Sequence, residues 1–118
     1  MQAEHGRILP IIARDAISDA VNAPRATDVF DETAPWLTEP GASFVTLMQD
    51  GELRGCIGTV QAHRSLLADI RRNAVSAAMH DPRFLPLTRD ELAAVRIEVS
   101  LLSTPQSFDY SDEKDALA

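Results

Sequence analysis

Between His5 and Val21 the apolar residues Ile8, Ile12 and Ala16 recur with Leu9, Ile17 and Val21 beside them, one stripe at helical spacing. Pro10 falls inside that stripe, so it marks the first turn of a shorter helix or kinks a longer one. Residues 22–42 show no sustained period and carry Pro24, Pro35, Pro40 and Gly41, as a loop does. Trp36 and Leu37 within it are expected to tuck into the core as a lid over one end. Ser43 to Met48 is rich in aromatic and β-branched types and reads as a strand. Gln49-Asp50-Gly51-Glu52 is a turn, because Asp-Gly takes the left-handed angles a tight hairpin needs, and Leu53 to Val60 is the return strand.

Ser65 to Met79 is the clearest helix: Ser65 is its N-cap, and Leu66, Leu67, Ile70, Ala74, Ala77 and Ala78 form its buried face. His80-Asp81-Pro82 stops it, since a residue before proline avoids helical angles. Thr88 with Glu91 forms a capping box over a short helical turn. From Arg96 to Leu102, Ile97, Val99 and Leu101 alternate with Arg96, Glu98 and Ser100, a strand with one buried face. A further helix is expected from Ser111 onward. The sum is an α+β domain, a mostly antiparallel sheet covered by helices.

Composition narrows the function. The 118 residues are 45% apolar and 25% charged, ordinary for one globular domain. A net charge of −7 argues against a general nucleic-acid or anionic-membrane binder. No apolar run is long enough to span a membrane, Met1 to His5 does not begin an export signal, and Cys56 is the only cysteine. A reduced thiol in the cytoplasm is the expectation. One local excess stands out: residues 53–84 carry Arg54, Arg64, Arg71, Arg72 and Arg83 against Asp69 and Asp81. Helix surfaces carry arginines of this kind, and so does an anion-binding site on an acidic body.

Leu53-Arg54-Gly55-Cys56-Ile57-Gly58-Thr59 carries the candidate chemistry. Strand alternation places Arg54, Cys56 and Gly58 on one face, with Leu53 and Ile57 on the other. Flanking glycines leave the sulfur unshielded, and an adjacent guanidinium favours the nucleophilic thiolate. The competing reading is a buried thiol acting as a small hydrophobe. His63, at the entry to the helix, is the candidate general base, and His80 at its exit has a simpler role against the helix dipole. Glu98, on the polar side of the last strand, pairs with Arg54 or Arg83, structurally or as an orienting group. No ligand spacing calls for a metal, and no phosphate loop or dinucleotide fingerprint calls for a cofactor.

The same heptapeptide resembles the hallmark Leu-Arg-Gly-Cys-Ile-Gly stretch of the AMMECR1 domain family. The likeness extends through Pro40 to Leu47, Asp50-Gly51-Glu52, Ala74 to Ala78, Asp81 to Leu87, Glu91-Leu92, Ile97 to Ser103, and Ala13-Arg14. It implies an α+β fold with a mostly antiparallel sheet, over residues 1–118 as a single domain. The family domain runs on past the equivalent of Ala118, so this chain is expected to lack its C-terminal portion. The site residues implied are Arg54, Gly55, Cys56 and Gly58, with Arg83. Prokaryotic relatives of this kind occur with Memo-like and radical-SAM proteins, the implied partners. Two functions follow: a site with Cys56 as nucleophile and arginines holding an anionic small molecule, or a non-catalytic adaptor.

Overall fold

The computed structural model describes residues 3–25 and 30–102. Helix α1 (Ala3–Ala20) runs unbroken through Pro10, the longer of the two expected forms. The loop after it holds one helical turn, α2 (Pro35–Thr38), opened by a proline that needs no amide partner there. Leu37 is fully buried and Trp36 packs on the core, its ring stacked on His5 with centroids 3.7 Å apart.

Strands β1 (Ser43–Gln49) and β2 (Glu52–Gly58) form the expected hairpin, with Asp50 at φ 55° and Gly51 at φ 79° in the turn. Helix α3 (Leu66–Met79) starts where the Ser65 hydroxyl accepts from the Ala68 N–H, 3.2 Å away. A 3-10 helix (Arg89–Ala94) carries the full Thr88–Glu91 capping box and leads into β3 (Val95–Leu101). The helix expected from Ser111 lies outside the described residues.

The sheet order is β2-β1-β3, antiparallel throughout. Ser43, Val45 and Leu47 of β1 point to one face, where α3 covers them and α1 packs on α3 and β3. Ile57 stands across from Val45, and Val99 and Ile97 flank on the other side. With Ile8, Leu9, Ile12, Ile17, Ile70 and Ala74 they make one core. Phe44, Thr46 and Met48 point to the opposite face, which no described helix covers. No described helix is long and apolar enough to cross a membrane.

Candidate functional site

The hairpin register decides where the motif points. Thr46 stands opposite Cys56, and Leu47 opposite Gly55, but Met48 stands opposite Leu53. Arg54 is therefore the extra residue of a β-bulge. The bulge breaks the alternation expected of a regular strand. Leu53 joins Met48 on the uncovered face, whereas Ile57 joins Val45 in the core. Arg54 is turned to the 3-10 helix, where its Nε and Nη2 donate to the two carboxylate oxygens of Glu91 at 3.1 and 3.0 Å. That corrects both expectations for it: Arg54 does not pair with Glu98, and its guanidinium is bonded to Glu91 rather than to the thiol. The pairing with Arg54 holds Glu91 below the usual carboxylate range.

Cys56 is half-buried on the uncovered face, its Sγ 3.4 Å from the Thr46 hydroxyl. β2 is an edge strand, so on its open side the Cys56 peptide groups need partners other than a strand. Asp81 and Arg83 supply them. The Cys56 N–H donates to Asp81 Oδ2 at 3.1 Å, and Arg83 Nη2 donates to the Cys56 carbonyl at 3.3 Å. Arg83 also grips Asp81 through Nε and Nη2, at 3.0 and 2.7 Å, and through its own peptide N–H at 3.1 Å. Asp81 is 4% exposed, while Arg83 lies on the surface with its guanidinium 5.4 Å from the Phe84 ring centre. The helix-stop reading of Asp81 is thus incomplete, because its side chain anchors the motif cysteine. An aspartate two residues before an arginine, across a proline, was the available signal.

Both glycines have packing reasons. A Cβ on Gly55 would lie 2.2 Å from the Ala77 carbonyl oxygen of α3, and one on Gly58 would lie 2.2 Å from the Phe44 ring. Glu98 stands opposite Thr46 on the same uncovered face as Cys56, but pairs with Arg96 at 2.9 Å and not with Arg83. His63 is exposed beyond the end of β2 and makes no hydrogen bond to Cys56. Of the segment's five arginines, four are ion-paired: Arg54 with Glu91, Arg64 with Asp69, Arg71 with Glu32 and Arg83 with Asp81. Most of the local excess is therefore neutralised in place. Among the described residues no cluster of three or more His, Cys, Asp or Glu is arranged to hold a metal ion.

Beneath the motif lies a second polar cluster that was legible only as two polar residues within an apolar helical stripe. Asp69, fully buried, accepts from the Ser43 N–H and hydroxyl, the Thr59 hydroxyl, Arg64 and Asn73. Asn73 donates in turn to the Ser43 carbonyl at 3.0 Å. The Thr59 N–H closes on that carbonyl too, which fixes the chain just past Gly58.

The clamp on Cys56 has a pH signature. The Arg83 guanidinium holds the Asp81 carboxyl well below the usual carboxylate range against the opposing effect of desolvation, and the N–H groups of Cys56 and Arg83 add to it. A depressed folded-state pKa contributes stability above the unfolded carboxylate value of about 4, and that contribution is lost as pH falls toward the folded value. Thermal unfolding followed by circular dichroism between about pH 5 and pH 2 should show wild type losing stability faster than Asp81→Asn. Parallel curves would mean that folding does not lower the Asp81 pKa.

A family model described as AMMECR1 matches residues 11–117. A protein of Aeropyrum pernix is 47% identical over 103 residues, which are 84% of this chain and 44% of that protein. Protein LS215_2104 of Saccharolobus islandicus is 39% identical over 116 residues, 95% of this chain and 51% of that protein. The crystal structure of the uncharacterized protein PH0010 from Pyrococcus horikoshii superposes with a TM-score of 0.76 at 31% identity, over 87% of this chain and 53% of that one. The chain spans about half the length of these relatives. The matched span holds the hairpin, its Leu-Arg-Gly-Cys-Ile-Gly segment, the clamp and the helix beneath them, and by that match the chain belongs to the AMMECR1 family.

Proposed function

We propose that the domain presents the Cys56 thiol as the reacting group of a small-molecule site on the uncovered sheet face. The observation that carries this reading is how Cys56 is held. Strand β2 is paired with β1 on one side, with Cys56 across from Thr46, and on its other side the Cys56 N–H and carbonyl are bonded to Asp81 and Arg83, while Sγ stays half-buried beside the Thr46 hydroxyl. A side chain that reacts must be positioned to within a fraction of an ångström, and a strand clamped at both edges does that better than a loop. Gly55 and Gly58 support the reading by packing, since they seat the strand against α3 and under Phe44. Arg83 reaches the motif through the Cys56 carbonyl, but Asp81 already pairs with its guanidinium, so in this reading it positions the strand. Arg54 lies outside this reading because Glu91 holds it, and His63 has no place in it as a base.

Alkylation of Cys56 by iodoacetamide in the full protein, set beside hydrogen exchange, tests the proposal. The expected result is labelling of the folded protein by direct attack, at a rate that rises in proportion to reagent and exceeds the rate of global opening. Labelling that only tracks opening would overturn it. That outcome would favour a second reading, an adaptor for Memo-like and radical-SAM proteins. Its support is two exposed apolar side chains, Leu53 in the motif at 39% and Leu85 two positions after Arg83 at 82%.

A further inference from the structure

Away from Cys56, the arginines divide in a way the sequence did not disclose. Arg25, Arg54, Arg64, Arg71, Arg83 and Arg96 each face a carboxylate. Arg14, Arg72 and Arg89 have no carboxylate partner among the described residues, and Arg14 and Arg89 meet in one cleft of about 480 Å³. It lies between the C-terminal half of α1, the loop after it and the 3-10 helix, and its volume is within the range of small-molecule sites.

Arg14 is half-buried and held by two carbonyls, Leu92 O at 3.1 Å and Val95 O at 2.8 Å. Neutral acceptors orient a guanidinium without cancelling its charge, so its attraction for an anion is retained. Arg89, on the exposed 3-10 helix, supplies a second cation. Arg25 also borders the cleft but is neutralised by Asp19 at 2.6 Å. Asp90 is the acid on the lining, and it leaves the two unpaired arginines in excess. Ala23, Pro24 and Leu92 give the cleft an apolar wall.

We infer that this cleft binds a small molecule with an anionic head, carboxylate or phosphate, on an apolar body. Arg14 is the fixed contact for the head and Arg89 the exposed one, while the wall of Ala23, Pro24 and Leu92 takes the body. This site is separate from Cys56 and stands whether or not the thiol reacts.

The test is a titration of the full protein with phenyl phosphate and with benzoate at constant ionic strength, read by amide nuclear magnetic resonance. Saturable shifts confined to the cleft, at Ser18, Ala23 and Leu92, are expected with at least one of the two, and whichever binds more tightly identifies the head group. Arg89→Ala should weaken that binding about fivefold or more, the scale of one charge-assisted contact. Arg72→Ala, which removes an unpaired arginine outside the cleft, should leave it unchanged. The inference is overturned if neither probe saturates below about 10 mM, or if Arg72→Ala weakens binding as much as Arg89→Ala does.

Discussion

Asp69→Ala is expected to lower the unfolding free energy by about 3–5 kcal/mol, the cost of removing one partner from a buried charged network. Asp69 is fully buried and accepts five hydrogen bonds, from the Ser43 N–H and hydroxyl, Thr59, Arg64 and Asn73. Without it the Ser43 N–H has no acceptor, and water has no easy path to replace one. Arg64, a quarter exposed, can turn to solvent, so Arg64→Ala should cost far less. For a domain at the low end of ordinary stability, about 5 kcal/mol, the Asp69 loss approaches complete unfolding. Urea denaturation followed by the fluorescence of Trp36, the sole tryptophan, measures it. A loss below about 1 kcal/mol would mean that these bonds merely replace equivalent ones to water.

The Asp69 cluster also shows where reading the sequence stops. Features set by neighbours in the chain were legible: the Asp50-Gly51 turn, the Ser65 cap, the Thr88–Glu91 box and the alternation of β3. Each rests on residues within four positions of one another. The bulge at Arg54 was not legible, because a single inserted residue is chosen by packing against α3 and the 3-10 helix, and one residue is enough to reverse a strand's faces. That reversal separated Leu53 from Ile57 and gave Arg54 to Glu91, 37 positions away. The partners of Cys56 were hidden for a similar reason. Asp81 lies 25 positions on and reads as a helix stop until the edge of β2 is known to need an acceptor.

Gly55→Ala is the second large effect, expected to cost about 3 kcal/mol, at or beyond the top of the usual range for overpacking. The added methyl would sit 2.2 Å from the Ala77 carbonyl oxygen and 3.1 Å from its carbon. Both are backbone atoms inside α3, so no rotamer change relieves the clash and the helix must lift from the sheet. That movement opens the packing of Ala74, Ala77 and Ala78, which form the close helix-to-sheet contact. Gly58→Ala offers the control. Its methyl meets the Phe44 ring at 2.2 Å, and that obstacle is a half-buried side chain, which a rotamer change can shift as no peptide carbonyl can. Its cost should be about 1 kcal/mol and should shrink in the Gly58→Ala, Phe44→Ala double variant, a coupling that a double-mutant cycle detects. No side-chain truncation should rescue Gly55→Ala, because the obstacle is a peptide carbonyl. Equal costs at the two positions, or a rescued Gly55→Ala, would refute this account of the motif. If the costs separate as expected, activity lost in a Gly55 variant reports on the fold and not on chemistry. Only a change that preserves volume at the sulfur, such as Cys56→Ser, then isolates the thiol.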